Sequence, residues 1–379
     1  MMNAWKVGRV LGIQIYIHWS FLILLVWVAV AGAMTGHDWR SVAWSLLFVI
    51  TIFAIVVVHE LAHALTARRF GIRTRGITLL PIGGVSALEK IPEQPRQELL
   101  MAAAGPAVNI ALALILLVML ASGSETLSLS VVNAAVGNFL GRLFWINVGL
   151  AAFNLLPAFP MDGGRVLRAL LAMKMDYVRA TDQAAAMGRL FAGLFGLLGF
   201  LFNPFLILIA IFIWSGAGHE AAMVRAKSCL ENAVVRDVMV TEFCRLLPSE
   251  TLRAAAGTLL TGFQREFPVV EDGRLVGMLS DSDLMKALSS HSPDLPVSIA
   301  MRKRFETVQP ERPVQEITTL LQHEHGYIPV VSGENLVGLL TPEGLARTIE
   351  AKTAERARAR RLAERIDRYS RSDVVSAQS

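Results

Sequence analysis

Charged side chains are nearly absent from long stretches of the first 220 positions. Uncharged runs stand at Val10–Gly36, Ser41–Val58, Leu99–Ser124, Leu143–Met161 and Leu190–Gly218, and none of comparable length follows Glu220. A bilayer core of about 30 Å needs about 20 apolar residues as helix, because only helices and closed barrels satisfy every backbone group in lipid. The last run is too long for one helix and contains Asn203-Pro204, a helix-breaking turn signal, so it divides. Six spans are predicted, near 17–35, 43–66, 99–122, 139–157, 184–201 and 204–218, the last of them short.

Between the second and third spans, residues 70–90 (FGIRTRGITLLPIGGVSALEK) alternate enough to form short strands broken by Pro81 and Gly83-Gly84. A membrane-associated hairpin is expected there, with WKVGRVLGIQIYIHW at the N-terminus as a source of a partner strand. Such an edge could pair with an extended peptide segment; packing alone is an equal contender.

Basic residues orient the spans. Lys6 and Arg9, then Arg68, Arg69, Arg73, Arg75, Lys90 and Arg96, then Arg165, Arg168, Lys174 and Arg179 fall on one side, and the alternate loops hold only Arg40. Basic loops stay cytoplasmic, so both termini and everything after Glu220 are expected in the cytoplasm. No cleavable signal peptide is required, since the first run is long enough to remain as a span.

Composition agrees once it is resolved along the chain. The 379 residues are 54% hydrophobic and 18% charged, with a mean hydropathy of +0.49, whereas a soluble protein carries roughly 25% charged residues. An ordinary soluble enzyme is excluded. Most of the formal charge of +5 belongs to residues 350–371, a basic tail suited to a solvated helix or to anionic lipid, so the balance does not point to nucleic acid. Cys229 and Cys244 are too few for a disulfide framework or a thiolate zinc site.

The second span ends in His59-Glu60-Leu61-Ala62-His63. One helical turn separates the histidines, which places both imidazoles on one face, able to grip one metal ion with Glu60 beside them as a base. Ionisable groups inside a membrane are costly and are retained chiefly for function. A hydrolytic zinc site also needs a third protein ligand and an open position. The clear acidic candidate is Asp162, in Asn154-Leu155-Leu156-Pro157-Ala158-Phe159-Pro160-Met161-Asp162-Gly163-Gly164, which closes the fourth span at the same side as His63. Asp162 could instead cap the helix that follows it.

The pairing of HExxH with NxxPxxPxDG resembles the site-2 protease family of intramembrane zinc metalloproteases. The likeness covers residues 1–220 and includes Gly83-Gly84 and the Ala104–Asn109 stretch of the third span. It implies a polytopic helical membrane domain with His59, His63 and Asp162 on Zn2+, Glu60 as catalytic acid/base, and Asn154 near the scissile peptide. Asn154 could donate to the oxyanion or serve helix packing.

Residues 230–350 contain a repeat of about 60 residues. Each copy reads as leading strand, helix, strand, tight turn, strand and helix, a soluble α/β unit. Order and spacing resemble a tandem CBS pair, with copies at 230–292 and 293–350 and the basic tail at 351–379. That family often binds adenine nucleotides such as ATP, ADP or AMP, through a Ser or Thr followed three positions later by Asp. Copy one has Ser280 and Asp283, whereas copy two has Thr341 and Gly344, so at most one good site is expected. Ser280 could also serve only as a helix cap, and the pair could act as a homodimerisation or substrate-docking platform.

Together these features imply a multi-pass zinc endopeptidase of a prokaryotic inner membrane. It would cut a transmembrane substrate within the lipid bilayer, with access modulated by the CBS pair. A CBS-regulated ion transporter and a catalytically silent scaffold are the alternatives.

Overall fold

In a computed structural model the protein is described over residues 4–362, apart from 37, 82, 90, 91, 93, 123–137, 232, 262, 263, 324–326, 356, 357 and 359–361. Most of the expected basic tail, including all of 363–379, lies outside the described residues. The chain divides into two compact units, Met1–Ala222 and Met223–Ser379.

In the first unit every predicted span forms a helix: α1 Trp19–Met34, α2 Trp39–Arg69, α3 Pro95–Ala121, α4 Phe139–Asn154, α6 Tyr177–Leu201 and α7 Phe205–Leu230, with the shorter α5 at Asp162–Ala172. Among the described residues α2, α3, α6 and α7 are long and apolar enough to cross a membrane. The 16 residues each of α1 and α4 reach about 24 Å. The break at Asn203-Pro204 is present, and Asn203 Oδ1 caps α7 by accepting from Phe205 N at 3.0 Å. Beyond it α7 runs well past the predicted 218, because nothing from His219 to Leu230 interrupts a helix. Side-chain oxygens start other helices: Asp38 accepts from Ser41 N at 3.1 Å and Asn138 from Gly141 N at 2.7 Å.

The expected hairpin is part of a larger sheet. Strands β1 Ala4–Val10, β2 Ile13–His18, β3 Thr74–Leu80 and β4 Gly83–Leu88 lie in that order. β1–β2 and β3–β4 are antiparallel, while β2 and β3 run parallel, with Ile15 opposite Ile77. A parallel pair needs a long crossover, and α1 and α2 provide it. The N-terminus therefore contributes two strands rather than one. Ile13 and Ile77 pack against Leu61 and Ala64 of α2, which seats the sheet on the HELAH helix. This arrangement leaves β4 at the sheet edge.

Between α4 and α5, Ala158, Phe159 and Met161 are buried. Phe159 packs among Ala184, Ala185, Ala217 and Ala221, and Met161 among Ala192 and Ile213. Small residues on α6 and α7 permit that close approach.

The second unit holds short α8 Val235–Val238, then α9 Leu252–Thr261, β5 Glu266–Glu271, β6 Arg274–Ser280, α10 Asp281–Ser290, α11 Val314–His323, β7 Ile328–Ser332 and β8 Asn335–Leu340. Its sheet order is β5-β6-β8-β7. The leading strand expected of each copy is reduced to isolated bridges, and these are made to the other copy: Val234 to Pro313 and Val240 to Leu339 from copy one, and Arg302 to Met278 from copy two. Val240 exchanges backbone hydrogen bonds with Leu339, and Arg302 with Met278, at 2.7–3.0 Å. Ala233, Val235 and Val238 accordingly share a core with Val308, Ile317 and Leu340, so the start of copy one belongs to the core of copy two. The free thiols follow no pattern of use, Cys229 being buried and Cys244 exposed.

Candidate active site

Three electron-pair donors meet where α2 and the start of α5 converge. His59 Nε2 and His63 Nε2 stand 3.1 Å apart, and Asp162 Oδ2 lies 3.2 and 3.1 Å from them. Both imidazoles are buried, and each spends its other nitrogen on an oxygen. His59 Nδ1 donates to Asn109 Oδ1 at 2.8 Å, and His63 Nδ1 donates to the Met101 carbonyl at 2.7 Å. With the ring hydrogens directed outward, both Nε2 atoms present lone pairs to a carboxylate. Such a set calls for a cation. Ligands held about 2.0–2.1 Å from a tetrahedral zinc lie roughly 3.3 Å from one another, close to these separations. His59, His63 and Asp162 could therefore hold a metal.

The local sequence explains how each donor arrives. The histidines are i and i+4 on α2. Asp162 is not the cap of α5: Met161 occupies that position and makes no side-chain cap bond, so the carboxylate turns to the histidines instead. Gly105 on α3 makes room, since a Cβ there would collide with His63 Nε2 and stand 2.6 Å from His59 Nε2.

Beside the donors a cavity of about 850 Å³ is lined by Glu60, Asn154, Asp162 and edge strand β4. Ser86 Oγ of β4 donates to Glu60 Oε2, which ties the strand to α2. Asn154 faces the same cavity, with its Nδ2 donating to Leu150 O at 2.9 Å.

Several residues here escaped the sequence reading. Asn109 was noted only as part of a stretch, although a lone amide in an apolar span is itself a signal. Ser86, Arg165, Ser215 and His219 also line the cavity, and nothing local marks them.

Comparison with known proteins decides the family. Residues 47–200 match the pattern described as Peptidase family M50, and residues 235–290 and 297–351 each match the CBS domain. A zinc metalloprotease of Methanocaldococcus jannaschii is 33% identical over 282 residues, covering 74% of this chain and 79% of that protein. The chain belongs to the M50, or site-2 protease, family of zinc metalloproteases. Rip3 of Mycobacterium tuberculosis is 30% identical over 378 residues, covering 92% of this chain and 94% of that protein. A solved site-2 protease from Methanocaldococcus jannaschii shares 34% identity over 58% of this chain and 95% of its own, with a TM-score of 0.42.

In the CBS pair of this M50 protease, Ser280 caps α10 by accepting from Asp283 N at 3.0 Å. Asp283 Oδ2 stands 3.3 Å from Arg302 Nε, whose Nη2 also donates to both Glu266 oxygens at 2.9 and 2.7 Å. Thr341 repeats the cap in copy two, accepting from Gly344 N at 2.9 Å. Gly344 has no room for an acid, because a Cβ there would lie 2.8 Å from Val240 Cγ2.

Proposed function

We propose that this M50 protease hydrolyses a peptide bond in a transmembrane segment of a protein substrate, near the cytoplasmic face of a prokaryotic inner membrane. His59, His63 and Asp162 hold the zinc ion. Bound there, zinc supplies Lewis acidity for the scissile carbonyl and acidifies a water molecule. Glu60 takes the proton of the attacking water on its carboxylate and delivers it to the leaving nitrogen. Asn154 keeps one Nδ2 hydrogen beyond its bond to Leu150 and directs it to the developing oxyanion or the substrate backbone.

A helical substrate has no accessible carbonyls until it unwinds. Among the described residues no strand pairs with the outer edge of β4, which lines the cavity, so an extended substrate segment adds to the sheet beside Glu60. Six spans with both termini cytoplasmic agree with the basic-loop pattern. The CBS pair modulates access by binding one adenine nucleotide in the copy-one cleft, where Ser280 meets phosphate and Asp283 the ribose hydroxyls.

The observation that carries this reading is the convergence of three metal-donor atoms within 4.8 Å of one another, with Glu60 on the same cavity. A transporter would need ionisable groups spread along a path across the membrane. Here His59, Glu60, His63 and Asp162 gather on one cavity.

The test is reconstitution with a single-span substrate, comparing the wild type with Glu60→Gln and Asp162→Asn. Cleavage by the wild type alone is the expected result, and equal cleavage by all three proteins would sink the mechanism.

A further inference from the structure

Away from the cavity, Arg168 of α5 is wholly buried, an expensive position for a guanidinium in a membrane protein. It is bonded on three sides. Nε donates to Glu98 Oε1 of α3 at 2.8 Å, Nη2 donates to the same oxygen, and Nη1 donates to Glu220 Oε1 of α7 at 2.6 Å. Phe159 and Tyr177 cover its faces, with ring centres 4.9 and 5.1 Å from Cζ. Glu98 is as fully buried as Arg168.

Glu98 belongs to a pattern along α3. Glu98, Met101, Gly105 and Asn109 are all buried on one face of that helix. Met101 holds His63, Gly105 admits both imidazoles, and Asn109 holds His59. Glu98 holds Arg168, and Arg168 sits on the helix that Asp162 begins. Thus α3 supplies no donor atom of its own yet touches the anchorage of all three donors.

We infer that Arg168 is a positioning residue for Asp162: its clamp to Glu98 sets α5 against α3 and so fixes where the carboxylate stands relative to the histidines. This rests on the reading of His59, His63 and Asp162 as the zinc ligands. Apolar packing would hold two helices together but let them slide, whereas charge-assisted bonds in a buried site are directional. About 9 Å of helix separates Arg168 from Asp162, so a tilt of about 6° moves the carboxylate by about 1 Å, a displacement on the scale that costs a reaction about 100-fold.

The test uses the full-length protein in lipid nanodiscs, with zinc affinity measured by competition against a chromogenic chelator. Arg168→Met leaves Glu98 and Glu220 without their cation, so it is paired with the double variant Glu98→Gln/Arg168→Met made in a Glu220→Gln background, which leaves no carboxylate of the cluster unpaired. The folded double variant is expected to bind zinc about 10- to 100-fold more weakly, the usual scale for lost outer support of a metal site. Excess zinc should restore its kcat with KM unchanged, which repair of a merely structural defect would not do. Glu220→Gln should leave zinc affinity within about threefold, because that arm reaches α7 and not α3. Asp162→Ala serves as the control: if it too leaves zinc affinity intact, the ligand assignment fails first. If Asp162→Ala loses zinc while the folded double variant binds like the wild type, the clamp alone is overturned. Failure of the double variant to fold overturns it as well, since the cluster would then serve the fold rather than the site.

Discussion

His59 Nδ1 donates to Asn109 Oδ1 at 2.8 Å across 50 positions of sequence, with both residues buried. The bond holds the ring hydrogen away from the donor cluster and sets the orientation of the imidazole. Asn109→Ala is therefore expected to weaken zinc binding by about 10- to 100-fold while leaving the protein folded. Chelator competition together with the thermal unfolding of the zinc-free protein measures both, and unchanged affinity would dispose of the orienting role.

Gly105 and Gly149 make a matched pair for testing space at the site. A Cβ on Gly105 meets both imidazoles, whereas nothing lies within 4 Å of one on Gly149. Gly105→Ala should reduce cleavage by at least about 100-fold, since small displacements of reacting groups are costly. Gly149→Ala should cleave as the wild type does. Parallel assays on one substrate decide it, and equal rates for the two variants would contradict the described packing.

Glu60 and Asp162 line the same cavity, but only Asp162 belongs to the donor cluster. Loss of a general base costs about 100- to 10,000-fold. Glu60→Gln should therefore be nearly inactive yet retain its zinc, whereas Asp162→Asn should lose metal as well as activity. Elemental analysis of the purified proteins separates the two. Zinc loss equal in both variants would count against Glu60 acting only as a base.

Chelation offers a reversible check. A strong zinc chelator should abolish cleavage by the wild type, and added zinc should restore it, because imidazole and carboxylate ligands bind metal reversibly. Activity that survives metal removal, confirmed by elemental analysis, would rule out the zinc mechanism.

In the CBS pair, Arg302 occupies Asp283 from the side of copy two. A bound ribose must take over that carboxylate, so Asp283→Ala should weaken nucleotide binding, as calorimetry on the whole protein would record. Gly344→Asp should not create a second site, because its Cβ meets Val240 at 2.8 Å. Overpacking of this kind destabilises by about 1–3 kcal/mol. A gain of a second binding event in that variant would refute the steric account.

Much of the candidate site could be read from local spacing. HELAH on an apolar helix places two imidazoles one turn apart wherever the helix goes, and Asp162 stands at the end of the fourth span on the same side as His63. Asn154 was singled out by its motif, but its bond to Leu150 O appears only in the folded chain. The alternative role of Asp162, as a helix cap, is not taken up: Met161 holds the cap position and the carboxylate meets the histidines. The leading strands of the repeat are a second instance: the apolar pattern at 234–240 is real, but its partner is in the other copy, which a repeat-by-repeat reading cannot show.

What the amino-acid order determined by itself was everything with a short period: the apolar runs, the break at Asn203-Pro204, the shared face of His59 and His63 on α2 and the existence of a repeat. Helix and strand periodicity is written within a few turns of chain. What tertiary structure alone decided was that α3 sets Met101, Gly105 and Asn109 against the two histidines and Glu98 against Arg168. Those roles depend on partners 38 to 70 positions away. A contact over that distance leaves no local pattern, only an isolated polar residue or glycine in an apolar span.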